Sequence, residues 1–121
     1  MPISMTPDPS KAAPLVTSPA LRALRERYRA SAPQFVAAFR ELAARLATEP
    51  DSAPVIEALR TAAHRLRGTA GSYGFAHASE LAADLEDRSG RWLADVGAEL
   101  PARAAAVSSF ADALEVAFAT Q

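Results

Sequence analysis

Four stretches of this chain open with proline and then repeat apolar residues at intervals of three and four, which commits it to helices. Phe35, Phe39, Leu42 and Leu46 form one such stripe after Pro33. Val55, Leu59, Ala62, Leu66 and Tyr73 form another after Pro54. Val107, Phe110, Leu114 and Phe118 form a third after Pro101. Ser18-Pro19 reads as an N-cap followed by proline at the first helical position, opening a helix over about 19–30 with Leu21, Leu24 and Tyr28 on one face. A helix from about 75 to the mid-90s carries Phe75, Ala78, Leu81, Leu85, Trp92 and Val96 inward, with Gly90 placed to kink or shorten it.

No segment alternates as a strand does, and the abundant alanine favours helices that approach closely. Short connections make neighbouring helices antiparallel. The expectation is an all-α fold, an up-and-down four-helix bundle with an additional N-terminal helix. Residues 1–18, with Pro2, Pro7, Pro9 and Pro14 and few apolar groups, read as a flexible arm, and residues 19–121 as the bundle domain.

Charge and composition exclude several classes of function. Thirteen basic and fourteen acidic residues nearly cancel, so nothing marks the chain for nucleic acid. No apolar run approaches the roughly 18 residues that span a bilayer, and no signal-peptide pattern opens the chain. A cytoplasmic, membrane-free, monomeric protein is expected. With no cysteine and two histidines, thiolate chemistry and a structural zinc site are not expected.

The chemistry concentrates in His64-Arg65-Leu66-Arg67-Gly68-Thr69-Ala70-Gly71-Ser72-Tyr73-Gly74. At about 100° per residue, the apolar line of the third helix lies near 20° from Val55 and His64 falls at about 180°. Gly71 and Gly68 fall about 20° and 40° from His64, and Arg67 about 60° away. The imidazole therefore faces solvent over small residues. A free imidazole, with an ordinary pKa of about 6.5, offers a nitrogen lone pair to an electrophile such as a phosphoryl group. Arg67, one turn on, is placed to pair with the charge such a group brings. Gly68 clears space for a partner's active site. An ordinary surface histidine with glycines ending its helix is the plainer reading. Against it, each glycine costs the helix about 1 kcal/mol relative to alanine. His77 reads as a surface or capping residue, and Trp92 with Phe35, Phe39, Phe110 and Phe118 as core.

This run, followed by Phe75, Leu81 and Leu85-Glu86, resembles the histidine phosphotransfer (HPt) domain, whose pattern is His-x-Leu-Lys-Gly followed by a helix ending in Leu-Glu. It is also similar to the phosphotransfer domain of chemotaxis-type histidine kinases. The match is specific over residues 57–88 and architectural elsewhere, and Arg67 stands where the family usually has lysine. The resemblance implies a phosphoryl group carried on Nε2 of His64 and a hydrogen bond from Nδ1 to Glu86. On its own helix Glu86 sits at the flank of the apolar stripe, where both a solvated side chain and one that crosses to His64 are possible.

The function implied is aspartate-to-histidine-to-aspartate transfer in a two-component phosphorelay. Response-regulator receiver domains, or a hybrid histidine kinase, would be the partners. The carrier would not be an enzyme: it has no nucleotide loop and no cofactor, and Mg²⁺ would sit on the receiver. Thr61, Arg65, Gly68, Gly71 and Ser72 are the expected rim of the docking surface. A non-catalytic helical adaptor, or the phosphotransfer portion of a larger kinase, is the alternative; the length of 121 residues leaves no room for an ATP-binding domain and favours a free-standing protein.

Overall fold

Serine ahead of proline starts two helices, at Ser18 as the sequence suggests and also at Ser52. Ser18 accepts the Leu21 N–H and Ser52 the Val55 N–H, each at 3.4 Å, ahead of Pro19 and Pro54 in their first turns. The computed structural model describes residues 18–121, so the expected arm lies outside the described residues apart from Ser18. The helices are α1 (Pro19–Ala30), α2 (Ala32–Thr48), α3 (Ala53–Ser72), α4 (Ala76–Ala94) and α5 (Arg103–Thr120), with a 3-10 turn over Leu100–Ala102. No strand occurs among the described residues.

The two most extensive contacts are α3 with α4 and α2 with α5, and the pairs α4–α5 and α2–α3 close the ring. This is the expected four-helix bundle with an extra N-terminal helix. Leu46, Leu59, Val107, Leu114 and Phe75 are wholly buried at its centre, and Trp92, Phe39, Phe110 and Phe118 join them. Phe35 is half-buried against that core.

Helix α1 closes one end. Tyr28 stacks on Tyr73 with centroids 4.9 Å apart and leans on Phe35, Phe75 and Phe118. Arg25 donates to the Tyr73 carbonyl at 3.1 Å and to the Gln121 carbonyl at 2.9 Å, and Arg29 donates to the Phe118 carbonyl. Both guanidinium groups lie over the Phe75 ring.

Several expectations change in detail. Ile56, Ala63 and Ala70 are buried on α3 while Ala62 is only half-buried, so the buried face is turned by about 30° from the line through the large residues. That turn is toward α4. Tyr73 lies just beyond α3: Gly74, at φ 84°, and Phe75 return their N–H groups to Gly71 and Ala70 at 3.1 and 2.8 Å, a Schellman stop. Gly90 leaves α4 unbroken. Val96 is 66% exposed because α4 ends at Ala94 and the helical period ends with it. Leu24 is exposed too. Pro101 lies in the 3-10 turn, and α5 begins at Arg103.

Arg103 is wholly buried without a carboxylate partner. It donates to the carbonyls of Ala98 (3.0 Å), Pro50 (2.7 Å), Asp95 (3.2 Å) and Val96 (2.9 Å), tying the α2–α3 loop to the α4–α5 loop. Trp92 lies beneath its guanidinium. Arg103→Met should therefore destabilise the fold by about 3 kcal/mol or more, because several carbonyls lose their donor together. Urea denaturation measures this; a loss within about 0.5 kcal/mol, the range of ordinary surface substitutions, would contradict the assigned role.

Candidate functional site

Small side chains bring α3 and α4 together. Ala63, Ala70, Ala78 and Ala82 are wholly buried. The Ser79 hydroxyl on α4 donates to the backbone carbonyl of Arg67 on α3 at 2.8 Å, a contact that a bulkier interface would not admit. A Cβ added at Gly71 would stand 3.2 Å from Ser79 Oγ. Gly71 is exposed, and the space its missing side chain leaves is occupied by Ser79.

This close approach sets the reach of Glu86. Its Oε2 lies 2.8 Å from His64 Nδ1, and its Oε1 accepts from Arg67 at 3.1 Å. One carboxylate on α4 thus holds two side chains of α3. The Glu86 side chain is 15% exposed, that of Arg67 53% and that of His64 69%. Burial acts to raise the Glu86 carboxyl, but the hydrogen bonds from His64 and Arg67 outweigh it and hold the group below the usual carboxylate range. Ionised at neutral pH, Glu86 can only accept, so Nδ1 carries the shared proton. In the neutral imidazole the lone pair then belongs to Nε2, on the ring's other side.

The expected site residues separate into groups. Thr61, His64 and Glu86 line one hollow of about 260 Å³, together with Arg60. Arg67 adjoins it through Glu86. Gly68 is exposed one turn beyond His64, with nothing within 4 Å of where a Cβ would stand. Ser72 is the exposed last residue of α3. Arg65 lies elsewhere, on a groove of about 330 Å³ that α1 and α2 form with α3 and that Tyr28, Phe35 and Leu66 help to line. Thr69, on the same groove, bonds the Tyr28 hydroxyl at 2.6 Å. His77 is an exposed residue 3.7 Å from Glu80.

Arg60, Ser79 and Gly90 were not among the expected residues. Arg60 was within reach of the helical wheel, since it precedes His64 by one turn. Ser79 and Gly90 act through packing between helices, for which a single-helix wheel carries no signal. Among the described residues no group of three His, Asp or Glu gathers to hold a metal, and no helix is long and apolar enough to cross a membrane.

The two glycines near His64 should respond differently to alanine. Gly68→Ala should stabilise the fold by about 0.5–1 kcal/mol, the helix-propensity gain in open space. Gly71→Ala should gain less, because its methyl crowds Ser79; equal gains in urea denaturation would contradict that contact. Acid titration tests Glu86. Its folded-state pKa is depressed, so its stabilisation is complete above the unfolded carboxyl value of about 4.3 and is lost as pH falls through the folded value. Glu86→Gln should flatten the acid limb of the stability–pH curve, and parallel curves for variant and wild type would exclude the two hydrogen bonds as its source.

The family model of the Hpt domain matches residues 23–117. No curated protein and no solved structure matches the chain. The match runs from α1 into the last turn of α5 and includes both helices that bear His64 and Glu86. The chain belongs to the Hpt domain family.

Proposed function

We propose that this chain is a phosphorelay carrier whose His64 takes a phosphoryl group from an aspartate of a receiver domain and delivers it to an aspartate of another. Histidine phosphotransfer in phosphorelays is the activity of the family. The observation that carries the residue assignment is the 2.8 Å contact of Nδ1 with Glu86 beneath an imidazole that is 69% exposed. Nδ1 is occupied, and Nε2 is left to react.

In the transfer, the Nε2 lone pair forms the new bond to phosphorus as the bond from phosphorus to the aspartyl oxygen breaks. The electron pair leaves with the aspartate carboxylate. The imidazole becomes cationic with its proton still on Nδ1, and Glu86 stabilises that charge as it grows. Delivery to the second receiver reverses these steps. Arg67 fixes Glu86 from its other oxygen and adds positive charge near the phosphoryl group. The receiver supplies the Mg²⁺ for the transferring group, and the carrier needs no cofactor or nucleotide of its own. A cytoplasmic monomer, with Thr61, Gly68, Gly71 and Ser72 rimming the docking surface and Arg65 set apart on the neighbouring groove, is the form that fits this role. The open space over Gly68 is where the receiver's active site would close.

Incubation with a ³²P-labelled receiver tests the reading. Wild type should gain acid-labile, base-stable label, and His64→Gln should gain none; label retained by that variant would refute the assignment. Gly68→Gln should fold normally and slow transfer by roughly tenfold or more, equivalent to about 1.4 kcal/mol of barrier. Transfer at the wild-type rate would show that the glycine clears no space for a partner. A chain that binds receivers but is never labelled would be a helical adaptor instead.

A further inference from the structure

Arg60 precedes His64 by one helical turn and shares its hollow with Thr61, His64 and Glu86. Among the described residues it makes neither a hydrogen bond nor an ion pair. On the α4 side its guanidinium lies against Gly90, where an added Cβ would stand 3.8 Å from Arg60 Nε. A methyl group there would make only ordinary contact, so α4 leaves the guanidinium room. Arg67 differs: its guanidinium is already held by Glu86 at 3.1 Å, and Glu86 is occupied in turn by Nδ1. To meet a new anion with its full charge, Arg67 would have to leave the carboxylate that orients the imidazole. Arg60 can do so without breaking any contact.

We propose that Arg60 is a phosphoryl-binding residue, its guanidinium pairing with the oxygens of the phosphoryl group on Nε2 of His64. This rests on the phosphocarrier reading above. A guanidinium suits the role because its planar fork matches two phosphoryl oxygens at once. The site then divides its cations: Arg67 positions Glu86 and adds its charge from there, and Arg60 pairs directly with the cargo.

The test uses phosphoramidate as donor with no protein partner, so that docking cannot contribute. The bond from Nε2 to phosphorus forms, the phosphorus–nitrogen bond of the donor breaks, and ammonia leaves. Two quantities are read: the rate at which His64 is labelled, and the pH at which the ³¹P resonance of phospho-His64 titrates from monoanion to dianion. Arg60→Gln should slow labelling about threefold or more and raise that titration midpoint by about half a unit, the range for a partly exposed opposite charge. Arg60→Lys should restore most of both, and Arg45→Gln, on the exposed surface of α2, should change neither. Wild-type rate and midpoint in Arg60→Gln would overturn the proposal. So would a defect seen only with a phosphorylated receiver, which would assign Arg60 to the partner's acidic residues. Failure of wild type itself to be labelled on His64 would overturn the carrier reading and this proposal with it.

Discussion

The distance between α3 and α4 is the constraint on which the site depends. Glutamate has a short reach, and Glu86 stands on a different helix from the imidazole it holds at 2.8 Å. The helices come close because alanine, glycine and serine occupy the positions between them. Ser79 shows how close: its hydroxyl reaches the backbone of the opposite helix and takes the Arg67 carbonyl. A larger side chain at Ala63, Ala70, Ala78 or Ala82 would push the helices apart, and the carboxylate would lose its hold on both His64 and Arg67. The packing of the hydrophobic interface and the orientation of the imidazole are therefore a single property.

Exposure is graded across the site. The carboxylate is 15% exposed and the imidazole 69%. Glu86 works where water screens least, which strengthens its hold on Nδ1. The imidazole stands where a protein partner can reach it. Because both Glu86 oxygens are engaged, the carboxylate is fixed in direction and the ring is fixed with it. Further chemistry then falls to whatever closes over Nε2, in keeping with the proposed carrier role.

The stripes of large apolar residues made the helices legible, and the prolines at the starts of α1, α2 and α3 made those boundaries legible. The rotation of α3 was not. Ala63 and Ala70 are as deeply buried as any leucine, but in an alanine-rich chain an alanine does not announce its face. A wheel anchored on Val55, Leu59, Leu66 and Tyr73 missed the side that meets α4. Val96 misled in the opposite way, lying in period with a helix that had already ended. His64, Arg67 and Gly68 could be read together because they share one helix within two turns. Glu86 belonged to another helix, so its flank position allowed two outcomes; the close approach of the helices decides for the one that crosses.

Arginine supplies all but one of the thirteen basic residues, and its surroundings sort it into distinct uses. Arg25, Arg29 and Arg103 cap backbone carbonyls at the ends of the bundle, where helix and loop oxygens lack donors. Arg40 and Arg88 pair with carboxylates: Arg40 joins α2 to Asp112 and Glu115 of α5, and Arg88 holds Glu99. That second pair, with a 2.9 Å bond from Trp92 Nε1, keeps Glu99 in its left-handed conformation ahead of the 3-10 turn. A bidentate, permanently charged side chain suits all of these fixed roles. Arg60 fits none of them. Among the described residues its guanidinium makes no hydrogen bond or ion pair with a carbonyl or a carboxylate, and it lines the same hollow as His64.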